Sequence, residues 1–289
     1  MEFQEGLFRI DPKTYHGLPI ISYTGVKEFQ KSPAHYKAML EGEKEETQAM
    51  IFGGAYHCYL LENNLFDGQY AVKYEGFNAR TKEAQSWMEQ HHGKAFISFD
   101  EFRKIKAMAQ VLWSHPQWDT FQRGAEREIA MIWKDPIHEC WCRTRIDLLS
   151  TVLRLPVDLK TTKDATPRAF LNACFNLGYH IQAAWTIRGL QQITKVHHET
   201  FVFIAQEKSE PYAINVFEAQ PAFIDAGHDI IDQVLPKYKA CLALDQWPGY
   251  DPAVKSLDLP EWAKGEINGE QGDSLADSDQ AESPEKPVQ

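Results

Sequence analysis

RIDLLSTVLRLPVDLKTT, residues 145–162, places Asp147, Asp158 and Lys160 between apolar neighbours. Ile146, Leu148 and Leu149, then Leu155, Val157 and Leu159, mark two short buried strands. If those strands pair about a turn near Val152, Asp147 stands opposite Asp158. Side chains alternate along a strand, so Asp158 and Lys160 share a face. Two carboxylates and an ammonium then converge. Facing carboxylates repel each other, and a cation between them relieves the repulsion. Oxygen ligands of this kind suit Mg²⁺ or Mn²⁺. A lysine beside such an ion can orient a water and offset phosphate charge. The same residues also fit a solvated hairpin with exposed Asp and Lys. Against that, Asp158 sits between Val157 and Leu159, where an unpaired carboxylate is costly.

Working outward, Glu126–Lys134 (EREIAMIWK), Glu139–Leu149 (ECWCRTRIDLL) and Val152–Lys160 (VLRLPVDLK) read as three successive strands. The turn Asp135-Pro136 separates the first two, and an antiparallel meander is expected. Upstream the period is helical. Ser22–Leu40 is expected as two helices broken at Ser32-Pro33, and Thr47–Asn63 as another that contains Gly53-Gly54. Two glycines in a helix cost about 1 kcal/mol each against Ala, so something should pack close to them. Ser98 and Glu101 form a capping box for a further helix from residue 99. Downstream, Thr166-Pro167 opens a helix that Gly178 ends, and Tyr179–Gln192 is another. Strands at Thr200–Ala205 and Tyr212–Phe217 and a helix over Pro221–Leu244 complete the pattern. The expectation is an α/β fold: a central mixed sheet with an antiparallel meander, flanked by helices. No internal repeat is found.

A chain of 289 residues with 43% hydrophobic and 25% charged residues can bury a continuous core. No apolar run approaches the ~18 residues that cross a bilayer, and the first residues, MEFQEGLFRIDP, lack the features of a signal peptide. A cytoplasmic protein with no membrane partner is expected. The cysteines, 58, 140, 142, 174 and 241, form neither a disulfide framework nor a paired zinc motif. The net charge of −11 argues against a nucleic-acid partner at first sight. Glu266–Gln289 alone carries −6, however, in a stretch rich in Ser, Gly, Gln and Pro. Residues 265–289 are therefore expected as an acidic disordered tail after a domain over 1–264. The rest is only mildly acidic and has room for a local basic channel.

His57 in GGAYHCYLLE, Asp147 in RTRIDLL, Asp158 and Lys160 in VDLKTT and Gln182 in YHIQAAWT together resemble the PD-(D/E)XK nuclease superfamily. More narrowly, the set is similar to the RecE-type exodeoxyribonuclease VIII branch, related to the RecB nuclease domain and lambda exonuclease. The resemblance runs from SYTGVKEFQKSPAHY to FVFIAQEKSEPYAINV. It implies a restriction-endonuclease-like core and a Mg²⁺-dependent exodeoxyribonuclease, with Mn²⁺ as a possible substitute. His57, Asp147, Asp158 and the carbonyl of Leu159 would hold the metal. Lys160 would serve the nucleophilic water, and Gln182 would position the site or the DNA. The substrate implied is a double-stranded DNA end, resected 5′ to 3′ to leave a 3′ strand for a phage-type annealing recombinase. A homo-oligomer is implied too.

One position departs from the pattern: Thr186 stands where the family usually has Tyr. Some RecB-like relatives bind an iron–sulfur cluster through one early and three late cysteines. Only Cys241 follows Cys174 here, so no cluster is expected. Taken singly, His57 reads more often as a core histidine than as a ligand, and the resemblance reverses that order. Arg145 fits a phosphate contact or a structural ion pair. Glu128 is a possible further acid, with exposure the expectation. Lys163, Arg168 and Arg188 fit a DNA track or a solvated surface. The competing functions are a single-strand exonuclease, an endonuclease and a non-catalytic DNA-binding scaffold.

Overall fold

The structure, a computed structural model, describes residues 3–42 and 46–259. The chain divides into two units, 1–249 and 250–289. In the second, the described residues 250–259 form no helix or strand, and the Asp251 carboxylate accepts the Ala253 N–H at 3.0 Å. The acidic tail expected over 265–289 lies outside the described residues.

The first unit begins with β1 (Gly6–Phe8), α1 (Pro12–Gly17), α2 (Tyr23–Lys31), α3 (Pro33–Glu41) and α4 (Gln48–Leu61). An excursion follows: α5 (Asn63–Gln69), β2 (Tyr70–Val72), α6 (Lys82–Gln90) and β3 (Ala95–Ile97). Then come α7 (Phe99–Trp113), α8 (Trp118–Gln122), β4 (Ala125–Lys134), β5 (Trp141–Ser150) and β6 (Leu155–Thr162). The unit ends with α9 (Pro167–Leu177), α10 (Tyr179–Thr194), β7 (Val202–Glu207), β8 (Ile214–Glu218) and α11 (Pro221–Leu244).

Local chemistry sets several of these ends. Ser22, Ser32 and Thr47 each accept a backbone N–H at the start of α2, α3 and α4. Ser98 and Glu101 form the full capping box of α7. The close approach expected at the glycine pair is found at Gly54, where a Cβ would lie 2.7 Å from the Tyr70 hydroxyl.

Six strands form one mixed sheet in the order β1-β4-β5-β6-β7-β8. β4, β5 and β6 are the expected antiparallel meander. β6 and β7 run parallel, joined through α9 and α10. β2 and β3 form a separate parallel pair. One face of the main sheet packs on α2, α3, α10 and α11 through Trp133, Trp185, Phe203 and Leu235. The other packs on α4 and α7 through Leu148, Val157, Leu159 and Ile204.

Strict alternation fails at one place. Ile129 and Met131 belong to the first layer, while Ala125 on the same strand packs into the second. Ile146 and Leu148, two residues apart on β5, also fall in different layers. The exchange coincides with Glu128, whose left-handed φ of +50° interrupts β4. Register is the same on both sides (Arg127↔Leu148, Ile129↔Ile146), so Glu128 stands opposite Asp147 without joining the ladder.

Candidate metal centre and active site

The β5–β6 ladder pairs Leu148 with Val157 and Leu149 with Pro156. Extending that register by one step sets Asp147 opposite Asp158, as the sequence predicts. There the strands part, and the Asp147 Oδ2 accepts the Leu159 N–H at 2.8 Å. α4 supplies His57, and the Tyr56 hydroxyl beside it donates to Gln206 Oε1 on β7, tying the helix to the sheet. His57 Nδ1 lies 3.5 Å from Asp147 Oδ2 and 3.9 Å from Glu128 Oε1. One ligand atom from each of His57, Glu128 and Asp147 falls within 4.8 Å of the others. All three line a cavity of about 440 Å³ together with Glu62, Arg145 and Tyr70.

Beside this group, Asp158 is buried, with Oδ1 accepting from Gln182 Nε2 at 2.5 Å and Oδ2 lying 2.7 Å from Lys160 Nζ. Val157 and Leu159 face the α4–α7 layer, so β6 alternation turns Asp158 and Lys160 toward α10. Gln182 Oε1 is buried without a hydrogen-bond partner among the described residues.

Electrostatics follow from crowding. Burial first, and then the facing Asp158, push the Asp147 carboxyl up to about 7, against the pull of His57. Burial works against the His57 imidazolium, but Asp147 and Glu128 outweigh it and lift the ring to about 9. Burial also raises Glu128, yet His57 and Arg145 hold it below the ordinary carboxylate value. Lys160 is raised because Asp158 overcomes its burial. Four acids, Glu62, Glu128, Asp147 and Asp158, thus face three cations, Arg145, Lys160 and the protonated His57. An imidazole and hard carboxylate oxygens with an excess of negative charge fit a divalent cation.

The structure corrects the expectations for Glu128 and Arg188 and places the other candidate residues. Glu128, expected to be exposed, is half-buried within the ligand group, its side chain retaining 11% exposure. The first hairpin signals this position, since a turn around Ile137-His138 sets Glu128 opposite Asp147. Asp158 adjoins the three-residue group, its carboxylate held by Lys160 and Gln182, and its expected role as a ligand is untouched by this arrangement. The Leu159 N–H donates to Asp147, which leaves the expected role of its carbonyl open. Arg145 takes the ion-pair alternative: Nε is 2.6 Å from Glu128 Oε2, and Nη2 is 3.0 Å from Glu62 Oε2.

Arg188 does not line a DNA track, because it is buried and bound to Asp135 and Asp232. Lys163 and Arg168 are exposed, just beyond β6 and at the start of α9. His57 is no ordinary core residue: its side chain keeps 24% exposure in the cavity wall while Tyr56 and Cys58 beside it are buried. Thr186 is buried.

A family model described as "PDDEXK-like domain of unknown function (DUF3799)" matches residues 22–257. No curated protein matches the chain in sequence. Among solved structures, the chain is similar to an Eubacterium rectale protein named "Putative exonuclease" at 13% identity and a TM-score of 0.62. That match covers 90% of this chain and 98% of the other, and the likeness is one of fold. The structure of SSO0001 overlaps 66% of this chain and 88% of its own at 11% identity, with a TM-score of 0.28. The family model spans β4 to β8, the ligand group and the Asp158–Lys160 pair, and the chain belongs to this PDDEXK-like family.

Proposed function

We propose that the protein is a divalent-metal-dependent nuclease that hydrolyses DNA phosphodiester bonds. The observation that carries this reading is the meeting of Glu128, Asp147 and His57 in one cavity beside the buried Asp158–Lys160 pair. A non-catalytic scaffold has no use for carboxylates crowded this closely, since their mutual repulsion costs stability.

His57, Glu128 and Asp147 hold the cation in this reading, and Asp158 adds its charge from the adjoining position. When bound, a divalent cation polarises the phosphate and makes an attacking water more acidic. Asp158 keeps the Lys160 ammonium protonated and next to the cavity. From there Lys160 orients the water and offsets charge developing on the phosphate. Gln182 fixes Asp158 from the other side. Arg145 bridges Glu62 and Glu128 and holds the Glu128 carboxylate in the cavity wall.

The finer reading is an exonuclease that acts at double-stranded ends. It degrades 5′ to 3′, uses Mg²⁺ or Mn²⁺, and leaves a 3′ strand for an annealing recombinase. A homo-oligomer around the duplex suits such an enzyme. Support for these points is the likeness of His57, Asp147, Asp158, Lys160 and Gln182 to RecE-type enzymes. The fold neighbour named an exonuclease agrees with it.

The test is to incubate the full chain and Mg²⁺ with an end-labelled linear duplex and with a covalently closed circle. Loss of the linear duplex from its 5′ ends with the circle intact is expected. Cleavage of the circle would make the enzyme an endonuclease. Failure to cut either at saturating cation would overturn the reading.

A further inference from the structure

The first turn of α10 grips both members of the Asp158–Lys160 pair. Gln182 donates to Asp158 Oδ1 at 2.5 Å, and the Lys160 ammonium lies 4.4 Å from the centroid of the Tyr179 ring. Residues three apart on a helix share a face, so Tyr179 and Gln182 reach β6 side by side. The Tyr179 ring is itself fixed. Phe203 stacks on it at 5.8 Å and 25°, and Phe170 lies at 6.1 Å. Phe203 is the register partner of Asp158 across β6 and β7, which seats the aromatic pair beside the strand that carries the site. Gly178, with a left-handed φ of +75°, joins α9 directly to α10 and so places Tyr179 at the first helical position.

We propose that Tyr179 is a positioning residue for Lys160: its ring face holds the ammonium at the cavity when a divalent cation competes for the Asp158 carboxylate. The proposal rests on the nuclease reading above. The reason is physical. A lysine has a flexible four-carbon stem, and without a cation the Asp158 carboxylate is the strongest restraint on its head. A divalent ion next to Asp158 draws on the same negative charge and loosens that restraint. The ring's attraction for the ammonium comes from its π-electron face and does not pass through Asp158. It persists, and it is strong in a site screened from water. The ring supplies this hold without the hydroxyl, so Phe can replace Tyr and an aliphatic residue cannot.

The experiment uses the full chain and the variants Tyr179→Phe and Tyr179→Leu. Two readouts are taken at saturating Mg²⁺: the NMR shift of the Lys160 ε-methylene protons, and single-turnover cleavage of a linear duplex over a range of DNA concentrations. A ring face over the ammonium moves those protons upfield. The shift is expected in wild type with Mg²⁺ bound and in Tyr179→Phe, and it is lost in Tyr179→Leu. The cleavage rate at saturating DNA is expected to fall about tenfold in Tyr179→Leu, with DNA affinity and Mg²⁺ affinity held and most of the rate kept in Tyr179→Phe.

Unshifted Lys160 protons in wild type with Mg²⁺ would overturn the proposal. So would a wild-type cleavage rate in Tyr179→Leu. If wild type cuts no DNA, the nuclease reading falls, and the wild-type proton shift alone decides whether the ring holds the lysine. That shift also decides the question if Tyr179→Leu fails to fold.

Discussion

Two charge assemblies hang from the β4–β5 hairpin, one at each end, and they differ in arrangement. Near the turn, Arg188 Nε and Nη2 meet the two Asp135 oxygens at 2.5 and 3.1 Å, and Nη1 meets Asp232 at 2.6 Å. Asp135 Oδ1 also accepts the N–H groups of Ile137 and His138. Donors and acceptors there are matched, and the paired groups favour their charged forms: Arg188 is raised and Asp232 lowered, in each case because the partner outweighs burial. At the other end, Glu128, Asp147 and Asp158 crowd together, and Asp147 is driven up to about 7. The lesson is that buried charge does not by itself mark a functional site. The mark is carboxylates crowded against one another, so that Asp147 is driven up, where at the other end Arg188 stands between Asp135 and Asp232.

The sharpest way to break this comparison is to remove one partner at each end. Asp135→Ala leaves Arg188 buried without its bidentate acceptor and should cost about 3–5 kcal/mol of stability, measured by denaturant unfolding. Cleavage per folded molecule should not change. Lys160→Gln should do the opposite. Cleavage should fall about 10²- to 10³-fold, while Mn²⁺ affinity persists or tightens because a positive charge next to the ion is gone. Calorimetric titration of Mn²⁺ beside single-turnover cleavage reads both. If Lys160→Gln cuts at the wild-type rate, the two assemblies do not differ in kind.

A subtler change sharpens the assignment within the acid-rich end. Glu128→Gln keeps shape and removes one negative charge from the ligand group, so Mn²⁺ affinity should drop about 10- to 100-fold. An unchanged affinity would return Glu128 to the role of a simple partner for Arg145.

How far the sequence reaches is clear from these same residues. The β5–β6 hairpin is legible because Val157 and Leu159 alternate with Asp158 and Lys160, and alternation plus the turn position sets Asp147 opposite Asp158. The helix over Pro221–Leu244 is found with the expected ends. Glu128 escapes because its φ of +50° exchanges the faces of β4, a backbone event that side-chain alternation cannot show. Arg188 escapes because its partners, Asp135 and Asp232, lie 53 and 44 residues away. β1, β2 and β3 have three residues each, too few to display a period.

A further predicted effect is a slope. His57, lifted to about 9 without metal, carries a proton at neutral pH that must leave before its nitrogen can bind a cation. Mn²⁺ affinity should therefore rise about tenfold per pH unit from 7 and level off near 9, with proton release on binding. The matched Arg188 assembly predicts no such slope. Calorimetry in buffers of different ionisation enthalpy counts the protons, and a flat profile would remove His57 from the ligand group.

The most direct test of the central claim is single-turnover cleavage of an end-labelled linear duplex by the wild-type chain across a range of free Mn²⁺. The account predicts no cleavage in chelator and a saturable rise at the cation concentrations where calorimetry detects binding. Cleavage in chelator at the saturated rate, or none with the cation bound, would contradict it.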